Sequence, residues 1–331
     1  MRHQRIAIIG AGIAGLSLAH QLQQRHTVTV FEKARGVGGR MSTRFQEPYF
    51  FDHGAIFFTA RHKKFKAFLA PLIEQGVVAV WQPRAITLEK NKKPYKRPWF
   101  EPHYVATPQM NSLCKHLSDG LMVQANTQVA PLTQRTEQGW ALEDTQGNAL
   151  GAFDWVISTA PAPQNLQLFP QTFSDYDTLK TIVMTGCYTL MLAFADPLPF
   201  SWDVAKVKNS PLQWIIKNNS KPLRDKALQT LVVHSTAEWA EAHIDEDVPA
   251  MQAILLKELD AVLGYPCAAT ATMITTHRWR YADVAVRSPK KFFLDATHHL
   301  AACGDGLIGG RVEAAFMSAT LLGEELQQNF L

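Results

Sequence analysis

At 331 residues and 37.0 kDa the chain is longer than one ordinary core and has room for a cofactor-binding unit plus a smaller second one. Its 47% apolar and 19% charged residues exclude a disordered or fibrous chain. A net charge of +4 suits anionic ligands but falls short of the concentrated basic stripe that nucleic-acid binding requires, so no nucleic-acid partner is expected.

Residues 5–9 are a short β-branched run, 13–24 have helical periodicity and 27–31 are a second β run. The chain therefore opens with a strand–helix–strand unit, the nucleus of a parallel sheet. The same opening could pass for a secretory leader, with Arg2 and Arg5 before an apolar core and a small-residue Ser17-x-Ala19 site. The fixed spacing of Gly10, Gly12 and Gly15 and the strand behind them favour the folded reading. After a loop dense in Gly and Arg at 35–44 come Phe51-Asp52-His53-Gly54-Ala55 and a helical stretch at 62–75. Residues 77–104 then read as short strands around a basic loop, 90–98, with the look of an insertion. Residues 108–117 suggest a helix, and 121–130, 138–142 and 153–158 suggest a β meander returning to Thr159-Ala160-Pro161. Strands at 186–194, 213–217 and 230–234 mix with an amphipathic helix at 248–263. A last strand at 300–303 leads through Gly304-Asp305-Gly306 to a helix at 312–328. The longest apolar run, 182–194, is below the ~18 residues of a membrane span, so no membrane partner is expected.

Gly10-Ala11-Gly12-Ile13-Ala14-Gly15 follows a strand and opens a helix, the context in which this spacing signals dinucleotide binding. Gly10 permits the tight turn, Gly12 lets a pyrophosphate approach the backbone, and Gly15 lets helix and strand pack closely. The helix N-terminus at Ile13 and Ala14 supplies N–H donors and positive potential. Glu32, followed by Lys33, ends the second strand where a carboxylate can take both ribose hydroxyls of an adenosine. NAD and FAD both use this device, and a glycine turn without a ligand is the plainer alternative. Cys114, Cys187, Cys267 and Cys303 stand apart with no C-x-x-C pair, and the twelve histidines show no ligand set. No metal is expected, and the thiols read as reduced, which fits a cytoplasmic protein.

The segment Lys33-Ala34-Arg35-Gly36-Val37-Gly38-Gly39-Arg40-Met41-Ser42-Thr43-Arg44 resembles the R-x-G-G-R-x-x-[ST] extension of the flavin-containing amine oxidase superfamily. The resemblance implies non-covalent FAD, with Gly39, Arg40, Met41 and Thr43 at the diphosphate and ribityl chain. It also implies a Rossmann-type FAD-binding domain with a mixed-sheet α+β substrate domain, the amine-oxidase/p-hydroxybenzoate-hydroxylase-like topology. The cofactor part would comprise residues 1–60, 101–165 and 284–331, and the substrate part 61–100 and 166–283. Cys303-Gly304-Asp305-Gly306 and Gly309-Gly310-Arg311-Val312-Glu313 fit the same superfamily. There Asp305 would bind a ribityl hydroxyl, and the helix behind Arg311 and Val312 would aim its N-terminus at the flavin N1–C2=O edge, where a dipole stabilises negative charge. An ordinary Asp-Gly turn is the alternative. Val129 matches a valine whose backbone meets the adenine, and Gly54, Ala55, Ala160 and Gly304 complete the expected cofactor contacts.

Phe51 to Thr59 resembles the D-x-G-A-x-[YF]-[FI]-T stretch of renalase-like bacterial oxidoreductases, and His277-Arg278-Trp279-Arg280-Tyr281-Ala282 resembles their R-W-R-Y segment. This puts Phe57 and Trp279 along the flavin ring and implies an oxidase without an obligatory protein acid or base. It would take a hydride from a small substrate, an isomeric dihydronicotinamide dinucleotide, to flavin N5, with molecular oxygen reoxidising the flavin to give hydrogen peroxide. A flavin-containing amine oxidase is the first alternative. A non-enzymatic protein-binding member of the fold, like the Rab GDP-dissociation inhibitors, is the second. The basic loop with Lys90, Lys92, Lys93, Lys96 and Arg97 is either a solvated face or an electrostatic lure for the diphosphate of such a substrate.

Overall fold

The run Arg5–Ile9 is almost wholly apolar past its first residue, as a strand covered on both faces must be, and it occupies the middle of a six-stranded sheet. The structure is a computed structural model and describes residues 3–90 and 92–331. Met1 and Arg2, at the leader-like start, and Asn91, in the basic loop, lie outside the described residues. The sheet runs Met122–Gln124, Thr27–Phe31, Arg5–Ile9, Trp155–Ser158, Leu300–Ala302, Phe293–Asp295, with every neighbouring pair parallel except the last. Helices Ile13–Leu22 and Val312–Asn329 cover one face through Leu16, Leu22, Leu322 and Leu326. The other face is covered by a three-stranded meander, Arg135–Thr136, Gly139–Glu143 and Ala149–Phe153, whose Trp140, Leu142 and Phe153 pack with Ala7, Phe31 and Val156.

The meander differs from the expected one. Met122–Gln124 and Trp155–Ser158 belong to the parallel sheet, and Val129 makes only an isolated bridge to Asp144. Short alternating runs carry no local signal of which sheet they join. The deciding contacts are long-range, such as the Glu32 N–H donating to the Gln124 carbonyl at 2.9 Å.

A second, seven-stranded mixed sheet runs Ala271–Val286, Val183–Phe194, Gln229–Ser235, Leu212–Lys217, Val204–Lys208, Ala85–Glu89, Tyr95–Lys96. The apolar run at 182–194 is one of its buried inner strands. Helix Val248–Leu263 starts at Asp247, whose side chain accepts from the Ala250 N–H, and stops at Gly264, which has φ 59°. Its Met251, Leu255 and Leu259 pack with Leu190, Leu192 and Leu231 on one side of the sheet. The basic segment is built into the large sheet. Its flanks form an edge hairpin, and Ala85–Glu89 also pairs in parallel with Val204–Lys208. That pairing spans more than a hundred residues and leaves no trace in local periodicity. A small sheet, Phe58–Thr59, His103–Ala106, Val78–Trp81, lies beside it, next to helix Lys63–Glu74. Residues 108–117 give a later and shorter helix than expected, Ser112–Ser118. Among the described residues no helix is long and apolar enough to cross a membrane.

Two glycines of the first turn give opposite expectations. A Cβ on Gly15 would lie 1.9 Å from the Gly10 carbonyl oxygen, whereas one on Gly12 meets nothing within 4 Å. Gly15→Ala should therefore cost roughly 3 kcal/mol or more, the upper part of the range for overpacking, and Gly12→Ala should unfold at nearly the parental denaturant midpoint. Urea melts of the two variants check this. Equal midpoints would refute the close helix–strand approach.

Candidate functional site

The carboxyl ends of Arg5–Ile9 and Trp155–Ser158 sit where the strand order changes direction, the place at which open α/β sheets form a ligand crevice. The chain turns out of Arg5–Ile9 at Gly10, which has φ +107°, with its N–H donating to the Phe31 carbonyl at 2.8 Å. The space above Gly12 is open, and the first turn of helix Ile13–Leu22 begins there. Glu32 is buried, and its two carboxylate oxygens accept from the Ala11 and Ala34 N–H groups, each at 2.8 Å. The carboxylate thus braces the turn as well as standing at the expected ribose position, and Lys33 beside it is exposed.

The second glycine loop lies directly on the first. The Gly38 N–H donates to the Ala11 carbonyl at 2.9 Å, and Gly39, at φ +52°, comes so close to Gly12 that its own Cβ would be 3.6 Å from the Gly12 Cα. The Arg40 carbonyl accepts from the Ala55 N–H at 2.7 Å, and a Cβ on Gly54 would strike that carbonyl at 2.0 Å. Arg40 then reaches the other end of the chain: its guanidinium pairs bidentately with Asp305, the Nη1–Oδ2 bond being 2.7 Å. Asp305 is buried, and its carboxylate has no other side-chain or backbone partner among the described residues.

Residues 10–15, 32, 38–40, 54–55 and 304–305 therefore converge. Other expected residues have different surroundings. Met41 is buried in the core, and the Thr43 hydroxyl donates to Asp52 at 2.8 Å. The Ala160 N–H donates to the Ser158 hydroxyl at 3.2 Å, at the rim where Thr159 closes the Gly10 turn. Arg311 is exposed and precedes helix Val312–Asn329, separated from Asp305 by a short helix, Asp305–Ile308, that the sequence did not announce.

Beneath the crevice lies a cluster that sequence reasoning missed. Asp52 is fully buried and accepts from Lys221 Nζ at 2.9 Å, Arg224 Nη2 at 2.7 Å, the Met110 N–H at 2.9 Å and the Thr43 hydroxyl. Burial alone would raise its carboxyl, but Lys221 and Arg224 outweigh it and hold the group well below the usual carboxylate range. Burial likewise pushes Lys221 down to about 8 against the pull of Asp52. Lys221 and Arg224 come from a stretch without any recognisable pattern, and no local signal could have found them.

The neighbouring His53 carbonyl accepts from Trp279 Nε1 and the Thr189 hydroxyl, both at 3.0 Å. Trp279 thus lies against Gly54, and its ring contacts His53 and His277. Burial lowers His53 to about 3, with His277, Arg44 and His234 adding to it, and lowers His234 and His277 to about 4 each. Phe57 faces a different group: His103 at 4.7 Å, Trp99 at 5.4 Å, Trp214 at 5.7 Å and Trp81 at 6.1 Å between ring centres. Among the described residues Phe57 and Trp279 share no aromatic partner. Among the described residues no group of three metal-ligating side chains occurs.

Residues 8–72 match the family described as NAD(P)-binding Rossmann-like domain. A 4,4'-diapophytoene desaturase of Staphylococcus aureus is 47% identical over 51 residues, 15% of this chain and 10% of the desaturase. The chain therefore spans only a small part of that relative's length. Solved structures resemble it throughout. A provisionally named protoporphyrinogen oxidase of Exiguobacterium sp. 255-15 superposes with a TM-score of 0.78 at 13% identity over 99% of both chains. Wild-type putrescine oxidase bound to putrescine gives 0.72 at 13% identity over 98% of this chain and 99% of the other. An oxidoreductase of Methanosarcina mazei gives 0.73 at 14% identity over 97% and 100%. The chain shares the fold of these oxidases: a Rossmann-like domain, to which residues 8–72 match, together with a second unit built on a mixed sheet.

Removing Asp52 would strand two buried cations. Asp52→Ala should cost roughly 3–5 kcal/mol, while Lys221→Met, which keeps the Arg224 pair, should cost clearly less. Chemical denaturation of both checks the order, and equal losses would contradict it. The histidines set a pH dependence. Their folded values lie below the ordinary 6.5, so the unfolded chain takes up protons first as pH falls. Their stabilising contribution is complete above about 6.5 and is lost progressively toward pH 4. Tm should drop between pH 7.5 and 5, and His234→Gln should flatten the drop. A parental Tm that is level across this interval would show the imidazoles to be solvated.

Proposed function

We propose that the protein is an FAD-dependent oxidoreductase whose donor is a dihydronicotinamide dinucleotide in an isomeric form. One observation carries the cofactor half of this reading. The open backbone at Gly12, the adjoining Gly39, the Glu32 carboxylate and the Arg40–Asp305 pair all converge on one crevice from three distant parts of the chain. A crevice that only needed to bind an adenosine diphosphate would not require Asp305.

The residues present fit FAD. Glu32 would hold the adenosine ribose, the Gly12 turn and the helix behind it the diphosphate, and Asp305 a ribityl hydroxyl, with Arg40 fixing the orientation of that carboxylate. When bound, the flavin supplies a two-electron acceptor, and oxygen would reoxidise it to yield hydrogen peroxide. The chain's own work is then to orient the donor and exclude water. Trp279, fixed by its bond to the His53 carbonyl, and the ring wall around Phe57 suit a flat donor. Arg97 and Lys206 lie over Trp214 in that wall, an arrangement that would repel a cationic amine.

The protein should purify yellow and release its flavin on acid precipitation. Glu32→Ala should weaken FAD retention by roughly 2–3 kcal/mol, the worth of charge-assisted hydrogen bonds to a ribose, so that dialysis strips it. Mixed anaerobically, isomeric dihydronicotinamide dinucleotides should bleach the flavin and simple amines should not. Bleaching by amines alone would replace this reading with an amine oxidase. A colourless protein that binds no FAD would remove the enzyme reading altogether.

A further inference from the structure

The wall around Phe57 holds three groups that lack partners. Arg97 Cζ lies 5.5 Å and Lys206 Nζ 4.7 Å from the centre of the Trp214 ring, and neither cationic head has a hydrogen bond or ion pair among the described residues. The two repel each other: burial first, and then Arg97, lowers Lys206 to about 8. The acid nearest in sequence to this wall, Glu101, is already held by Arg61. The third group is the indole N–H of Trp99, whose nitrogen is buried without an acceptor. Its ring packs 3.9 Å from His103 and 5.4 Å from Phe57. Trp99 Nε1 and the Arg97 and Lys206 heads are all donors. Aromatic stacking on Trp214 compensates the cations only in part, so two like charges and an orphan N–H describe the complement of an anion presented by a flat ring.

We propose that Trp214, Trp99 and Phe57, with Arg97 and Lys206, form a substrate subsite for a planar aromatic group that carries a phosphate. The inference rests on the reading of the protein as an FAD-dependent oxidoreductase and names what its substrate must bear. It moves the anion-binding role away from the lysine-rich turn. Lys92 there is held by Glu89 at 2.8 Å, and Lys93 and Lys96 are exposed. Arg97 follows Tyr95–Lys96, the edge strand of the seven-stranded sheet, and Lys206 sits on its inner strand Val204–Lys208. Phe57 links the subsite to the crevice, three residues beyond the Gly54 that packs under Arg40.

The test is calorimetric titration of the FAD-saturated protein with nicotinamide mononucleotide and with 5'-AMP, each against its phosphate-free nucleoside. Either nucleotide should bind at least tenfold more tightly than its nucleoside, and which one does so identifies the half of a dinucleotide that occupies the site. Lys206→Gln and Arg97→Gln should each lose roughly tenfold for that nucleotide, within the range of one charge-assisted contact, and leave the nucleoside unchanged. Lys206→Arg should restore much of the loss. Trp214→Leu should weaken both forms. Equal affinities for nucleotide and nucleoside, or charge variants that bind like the parent, would overturn the subsite. Because neither probe is a reductant, this outcome is independent of whether a dihydronicotinamide bleaches the flavin.

Discussion

The arrangement turns on a single carboxylate. Asp52 has no exposed surface, and its four donors come from the two sides of the molecule: Met110 and Thr43 beside the glycine loops, Lys221 and Arg224 from the turn that follows strand Leu212–Lys217 of the large sheet. A charge taken out of water at this cost persists only when its partners are fixed. Fixing them also fixes the next residues, His53 and Gly54, and through them Trp279 and the Arg40 carbonyl. The glycine-loop side of the crevice and the large-sheet side thus share one electrostatic anchor.

Upon that anchor the crevice is built mainly from backbone. Gly10, Gly15 and Gly54 are positions where a Cβ would fall within about 2.5 Å of another atom, and in each case removing it lets two chain segments touch. Gly12 is different, since its missing side chain leaves space. Steric necessity and ligand access therefore use the same residue type for opposite ends. Only the three-dimensional surroundings distinguish them.

Much of this was legible in the sequence where cause and effect are local. The turn at Gly10 to Gly15, the strands at its flanks, Glu32 and the long helices 248–263 and 312–328 were all readable, because hydrophobic period and turn chemistry are decided within a dozen residues. Strand partnership was not. Met122–Gln124 and Ala85–Glu89 found sheets other than those their neighbours suggested, and Val129 found almost none. Lys221 and Arg224 were invisible for a further reason. A buried ion pair looks in sequence like any surface charge, and its meaning comes from a partner 169 or 172 positions away. Thr43 spends its hydroxyl on Asp52.

The Arg40–Asp305 pair joins residues 265 positions apart. A ribosome makes the glycine turn long before the aspartate, so the emerging chain carries half a cradle while the residues between them are added. During that time Arg40 is an unanswered guanidinium on an exposed, glycine-rich loop, and the edges of Thr27–Phe31 and Arg5–Ile9 await strands not yet made. Contacts of such sequence separation form slowly, because a large loop must close before they return any energy. Closure of the Arg40–Asp305 cradle therefore comes late, as a result of long-range folding rather than a guide to it.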